Sequence, residues 1–304
     1  MDEKIVIMLS TYNGEKYLET QLESIYNQST NCYVKIIIRD DGSKDATIAI
    51  LKQWKIKMDI EFIDDDVSLG AADSFWKLLN LAPDAEYYAF MDQDDLWEPN
   101  KIEVAINSLR YIDCPALWFS NFNIIDTDGF ILINSAIITT PVLTIPSELV
   151  CGMAQGCSMV FNRKAHQYIV GKNVKFIPMH DQVVLSYIMA VGKVIYEPTP
   201  LLNYRVHSNN AVAKKGKNTI QKFQTTFYQW FSKKTSYAVS KFAQELLNDN
   251  TELLEEEIVA YLQDLTKCKF SISARVRILK SKQTQTSSLH SLKSYKIRVA
   301  LGII

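Results

Sequence analysis

Short apolar runs, each closed by a polar turn and followed by a stretch with helical spacing, set the pattern of the amino-terminal half of the chain. Lys4 to Leu9 (KIVIML) is such a run, then come Ser10-Thr11-Tyr12-Asn13-Gly14 and, at helical intervals, Tyr17, Leu18, Leu22, Ile25 and Tyr26. The unit repeats in Val34 to Ile38, the turn Arg39-Asp40-Asp41-Gly42-Ser43, and a helix over Asp45 to Trp54 that Ser43 or Asp45 can cap. Ile60 to Ile63 predicts a third strand, Ala71 to Leu81 a third helix and Tyr87 to Met91 a fourth strand. Alternation of this kind predicts an α/β chain on a doubly wound, mostly parallel sheet with right-handed crossovers. Ligands of such sheets sit beyond the carboxyl ends of the strands. Ser10 to Asn13, Asp40 to Ser43 and Asp92 to Asp95 all fall there, so they are expected to line one cleft.

Pro99 suits the first turn of a helix over Lys101 to Tyr111. Ala116 to Asn121 and Ile124 to Ile133 read as strands around the turn Asp126-Thr127-Asp128-Gly129. Pro141 to Pro146 is irregular, and the small-residue loop Gly152-Met153-Ala154-Gln155-Gly156-Cys157 leads into a strand from Ser158 to Phe161. His180-Asp181-Gln182 opens an apolar helix over Val183 to Val191, where Asp181 either caps the helix or serves chemistry. Lys193 to Tyr196 is a further strand, and Leu202 to Asn210 reads as a polar loop carrying Arg205 and His207. From Thr219 the pattern is helical: Phe223, Phe227, Trp230 and Phe231 form one stripe, and Tyr237 to Leu247 and Leu253 to Leu265 predict two more helices.

At 304 residues and 47% apolar content the chain can bury a large core. Five scattered cysteines give neither a disulfide framework nor a zinc spacing, and the acidic start Met1-Asp2-Glu3 is unlike a signal peptide; both point to a reducing cytoplasm. No apolar run reaches membrane-spanning length. The net charge of -1 hides a split: Met1 to Ala213 carries 17 basic and 27 acidic residues, Lys214 to Ile304 16 and 7. Two units with different partners are therefore expected, residues 1–213 and a basic helical unit at 214–304 that faces a membrane surface, nucleic acid or simply solvent.

The most informative stretch is Asp92-Gln93-Asp94-Asp95, directly after the apolar run Tyr87 to Met91. Asp92 and Asp94 share a face of an extended chain and can share one hard cation, whereas crowding three carboxylates without one is costly. A solvated acidic turn is the alternative. Neither GxGxxG nor GxxxxGK[ST] is present, so no dinucleotide fingerprint or phosphate loop can be claimed.

Ser10-Thr11-Tyr12-Asn13, Arg39-Asp40-Asp41-Gly42-Ser43 with Asp45 and Thr47, Asp92-Gln93-Asp94-Asp95 and His180-Asp181 resemble, in order and spacing, the family 2 glycosyltransferases of GT-A fold. With Tyr204-Arg205-Val206-His207 and Asn209-Asn210, the chain looks most like bacterial rhamnosyltransferases of cell-wall or capsular polysaccharide synthesis. The resemblance implies an inverting transfer from a nucleotide diphosphate sugar, such as dTDP-rhamnose or a UDP-hexose, to a saccharide, lipid-linked or protein-linked glycan acceptor. It implies that Asp41, with Thr11, Tyr12 and Asn13, holds the nucleotide, that Asp92 faces the ribose, and that Arg205 and His207 complete the diphosphate site. Asp92, Asp94 and His207 would ligate Mn2+ or Mg2+. Asp95, Trp97 and Gln155 would lie toward the acceptor, and Asp181 would be the general base. The implied partners are the donor and acceptor, with membrane or a second copy at the C-terminal helices, and no nucleic acid. A nucleotidyltransferase would need a basic phosphate loop near the amino terminus; a non-catalytic nucleotide- or glycan-binding module would have no use for Asp181.

Overall fold

The computed structural model describes residues 3–65, 67–207 and 238–304. The chain divides into two compact units: Met1–Ile138 with Ala154–Gly171 and Gly192–Val206, and Thr139–Met153 with Lys172–Val191 and His207–Ile304. The boundary expected at 213/214, the stripe Phe223 to Phe231 and the pair Asn209-Asn210 lie outside the described residues.

All strands among the described residues belong to the first unit. They are β1 (Lys4–Thr11), β2 (Tyr33–Asp40), β3 (Asp59–Phe62), β4 (Tyr87–Met91), β5 (Leu96–Trp97), β6 (Ala116–Ile125), β7 (Ile131–Ile133), β8 (Met159–Asn162) and β9 (Lys193–Arg205). The sheet runs β3-β2-β1-β4-β8-β6-β9-β5, with β7 on β6. β3, β2, β1 and β4 are mutually parallel, as are β6 and β9; β8 runs antiparallel to both of its neighbours. Ile5 to Leu9 and Tyr87 to Met91 are buried throughout, which is why they read as unbroken apolar runs rather than as alternation. Each such side chain contributes about 1.5–3 kcal/mol by leaving water.

Five helices complete this unit: α1 (Leu18–Tyr26), α2 (Thr47–Trp54), α3 (Ala71–Leu81), α4 (Lys101–Leu109) and α6 (Arg163–Val170). α3 packs its buried face on β1 and β2 and sets Phe75 edge-on to Phe90, 5.6 Å between ring centroids. The register pairs Thr11 with Asp40 and Leu9 with Met91, so the three acidic or polar turns leave the sheet at the same level.

β9 departs from expectation. Lys193 to Tyr196 is only its beginning, and the predicted loop from Leu202 is strand as far as Arg205. Pro198 and Pro200 break the sequence pattern, and the β6–β9 register shifts where they sit, because proline cannot donate to the ladder. The predicted break near Asn121 is likewise absent, since β6 is continuous.

Among the described residues the second unit is helical: α5 (Ile145–Cys151), α7 (His180–Val191), α8 (Ala238–Asn250), α9 (Glu256–Lys267), α10 (Ile272–Lys280) and α11 (Leu289–Leu301). Thr144 caps α5 by accepting from the Ser147 N–H, turning the expected irregular region into a helix. α9 packs against α8 and α10, and α11 against α10 and α5, around Phe242, Leu246, Leu262, Leu265 and Val299. Buried hydroxyls are paired inside this core: Tyr261 meets Tyr295 at 2.9 Å and Thr284 donates to Tyr261 at 3.1 Å.

Candidate active site

The turn after β1 is built to meet its neighbours. Thr11 Oγ1 donates to Asp40 at 2.7 Å. Gln93 donates to the Tyr12 carbonyl and accepts from the Tyr12 N–H, at 3.0 and 2.9 Å. The Asn13 N–H donates to Ser43, and the Gly14 N–H to Thr47. A Cβ on Gly14 would lie 2.4 Å from Gln93 Oε1, so any other residue there would displace the Gln93 side chain from the Tyr12 backbone.

The turn after β2 presents two acids with different tasks. Asp40 accepts from the Gly42 and Ser43 N–H groups of its own turn as well as from Thr11. Asp41 faces a bracket of donors: Arg39 at 2.6 Å, the Leu69 and Gly70 N–H groups at 2.7 and 2.9 Å, and Ser68 at 2.9 Å. Burial works to raise its pKa, but these donors outweigh burial and hold the carboxyl below its usual range. Arg39 is fully buried and also grips Asp65, at 2.7 Å.

The turn after β4 is electrostatically different. Asp95 is fully buried, and its pKa is pushed well above the carboxylate range, first by burial and then by the charges of Asp94 and Asp92. Oδ1 accepts the Arg205 N–H at 2.9 Å, and the Cys157 thiol lies beside the carboxyl. Asp92, Asp95 and Cys157 each offer one ligand atom, all within 4.8 Å of one another. Two carboxylate oxygens and a thiol at that spacing, with Asp94 on the same turn, form an acid-rich group that could hold a metal ion.

Cys157 in this cluster and Lys101 beside it were not legible in the sequence. Lys101, which reads as an ordinary helix start, is fully buried; its Nζ donates to the Cys157 carbonyl at 2.5 Å and lies 3.2 Å above the Trp97 ring. Burial pushes its pKa down to about 7. Cys157 reads as a loop residue. Nothing local pairs positions 101 and 157; the sheet does.

Of the other expected residues, Trp97 is buried beneath Lys101. Gln155 is buried, and neither atom of its side-chain amide has a hydrogen-bond partner among the described residues. Arg205 closes β9: Nε donates to the Asp94 carbonyl at 2.8 Å, Nη1 to the carbonyls of Asp126 and Thr127, and the guanidinium lies 4.7 Å from the Tyr17 ring centroid.

Asp181 and His207 belong to the second unit. Asp181 starts α7, and its Oδ1 accepts the Gln182 N–H at 2.7 Å. Buried Glu148 on α5 accepts the Met153 N–H, and burial, reinforced by the charge of Asp181, raises its pKa to about 8. His180 is buried, which lowers its pKa to about 3 and keeps the ring neutral.

The first unit is thus an α/β sheet of GT-A type whose parallel strands β2 and β4 end in acid-bearing turns. The chain belongs to glycosyl transferase family 2, whose profile matches residues 6–169. Among curated relatives, the dTDP-rhamnosyl transferase RfbG of Shigella flexneri is 27% identical over 80% of this chain and 86% of its own. WfaP of Escherichia coli, a UDP-Glc:alpha-D-GlcNAc-diphosphoundecaprenol beta-1,3-glucosyltransferase, is 28% identical over 72% and 84%. With other relatives the match is partial: it spans 31% of an uncharacterized glycosyltransferase of Rickettsia bellii and 49% of the putative teichuronic acid biosynthesis glycosyltransferase TuaG of Bacillus subtilis. Among solved structures, S. aureus TarS 1-349 in complex with UDP-GlcNAc aligns with a TM-score of 0.59 at 16% identity, over 98% of this chain and 89% of that one. The mannosyltransferase PcManGT of Pyrobaculum calidifontis, in complex with GDP-Man and Mn2+, aligns with a TM-score of 0.53 at 14% identity, over 99% and 88%.

Proposed function

We propose that the chain is an inverting glycosyltransferase that moves a sugar from a nucleotide diphosphate donor to a hydroxyl of a glycan acceptor in the cytoplasm. The observation that carries this reading is the set of turns after β1, β2 and β4, polar after β1 and acid-bearing after β2 and β4, held at one level by the parallel register. Asp41 and the Thr11 to Asn13 turn are assigned to the nucleotide. Asp92 and Asp94 would hold Mn2+ or Mg2+, which when bound supplies positive charge to the departing diphosphate. The unpaired amide of Gln155 suits a sugar hydroxyl, which would satisfy its buried polar atoms. Arg205 fixes the Asp94 carbonyl, so it supports the acidic turn from behind.

Asp181 is assigned as the base from its place in the motif order. It would take the proton of the acceptor hydroxyl as that oxygen attacks the anomeric carbon opposite the leaving diphosphate, and a single displacement inverts the centre. Rhamnose from dTDP-rhamnose is the favoured donor because the rhamnosyl relative aligns over four fifths of both chains. A UDP-hexose is the second reading, favoured by the likeness to the glucosyltransferase.

Donor hydrolysis with Mn2+ across a panel of nucleotide sugars tests the proposal. One sugar is expected to turn over, and Asp181→Asn is expected to bind it while losing at least about 100-fold in transfer. No turnover of any donor by the wild type would favour a binding module instead.

A further inference from the structure

The charge split and the exposed apolar side chains of the second unit meet on one corner. Residues 267–304 carry nine Lys or Arg and no Asp or Glu. Arg275 ties that corner together: Nε donates to the Cys268 carbonyl, Nη2 to that of Lys269 and Nη1 to that of Ala300. The turn before α10 and the end of α11 are therefore neighbours. Bulky side chains stand in water on both: Phe270 is 84% exposed, Ile272 75%, Leu301 62% and Ile303 43%. Along α11 the exposed positions Leu289, Lys293, Ile297 and Leu301 recur every four residues, while Ser291, Tyr295 and Val299 point into the core. The same spacing puts Ile272, Val276 and Lys280 on one side of α10.

We propose that this corner, with Phe270, Ile272 and Leu301 as apolar anchors and the exposed Lys280 and Lys293 two turns along the same helices, lies on an anionic lipid bilayer. Large apolar groups exposed together mark an interaction surface. A helix of 13 residues with lysines among its outward apolar positions lies in an interface rather than spanning it. No helix of the described residues is long and apolar enough to cross a membrane. Charge decides between a bilayer and a second copy: a symmetric pair would set this acid-free segment against itself, whereas anionic headgroups complement it. The inference stands independently of the transferase reading.

Vesicle flotation of the full chain tests it. Wild type is expected to float with vesicles containing phosphatidylglycerol, less so in high salt, and not with phosphatidylcholine alone. Lys280→Glu with Lys293→Glu should lower the bound fraction more than about tenfold, and Phe270→Ser with Ile272→Ser should weaken binding at either salt concentration. These positions are exposed, so circular dichroism should show both variants folded, and donor hydrolysis by each in solution should stay at the wild-type rate. Equal binding to neutral vesicles, undiminished binding by either variant, or a salt-resistant dimer that the apolar variant dissociates while nothing floats would each overturn the proposal.

Discussion

The turns after β2 and β4 occupy equivalent places on a parallel sheet, yet they treat a buried acid in opposite ways. Asp41 is surrounded by donors, two of them backbone N–H groups, and is held ionised. Asp95 has one backbone donor and the Cys157 thiol against burial and two like charges, and its pKa is pushed up. Burial is common to both. What differs is whether the fold fills the lone pairs or leaves that to something else, and the second arrangement is what a cation site needs.

The largest effect expected from breaking this contrast is at Arg39. Arg39→Met strands Asp41 and Asp65 without their guanidinium, and urea unfolding should show a loss of roughly 3–5 kcal/mol; a loss below 1 would mean that Asp41 draws its ionisation from elsewhere. At the other turn, Lys101 sets a pH dependence. Its pKa falls from its ordinary value to about 7 on folding, so between pH 7 and 10 the unfolded chain holds more protons there and stability must rise with pH. The difference between wild type and Lys101→Met should change by up to about 1.4 kcal/mol per pH unit in that window, and a flat difference would contradict a neutralised buried amine. The smallest effect belongs to Asp95→Asn. An amide keeps the shape of the carboxyl and removes a charge that burial and the neighbouring acids disfavour, so stability should move by no more than about 1 kcal/mol, whereas Asp41→Asn should cost more. Equal costs would erase the contrast.

The sequence exposes one side of this picture and hides the other. Apolar runs too short for helices, each closed by an acid-rich turn, make β1 to β4 legible, because burial on both faces forces unbroken hydrophobicity. The cluster Asp92 to Asp95 announces itself by crowding alone. By contrast, Asp41 carries no mark of the Leu69 and Gly70 N–H groups that fix it, and nothing about Lys101 foretells Cys157, 56 residues away. β9 was hidden by Pro198 and Pro200, which the sheet tolerates through a register shift that no local pattern encodes. Ser271 and Ser288 do cap α10 and α11, but exposed apolar positions blur the periodicity between them.

Calorimetric titration of dTDP and UDP into the wild type and Asp94→Ala, with Mn2+ or with EDTA, reaches the central claim most directly. One nucleotide should bind the wild type with Mn2+ and lose at least about 100-fold in affinity with EDTA or in Asp94→Ala. Binding that is equally tight under all these conditions would show that the acids after β4 gather for some other reason.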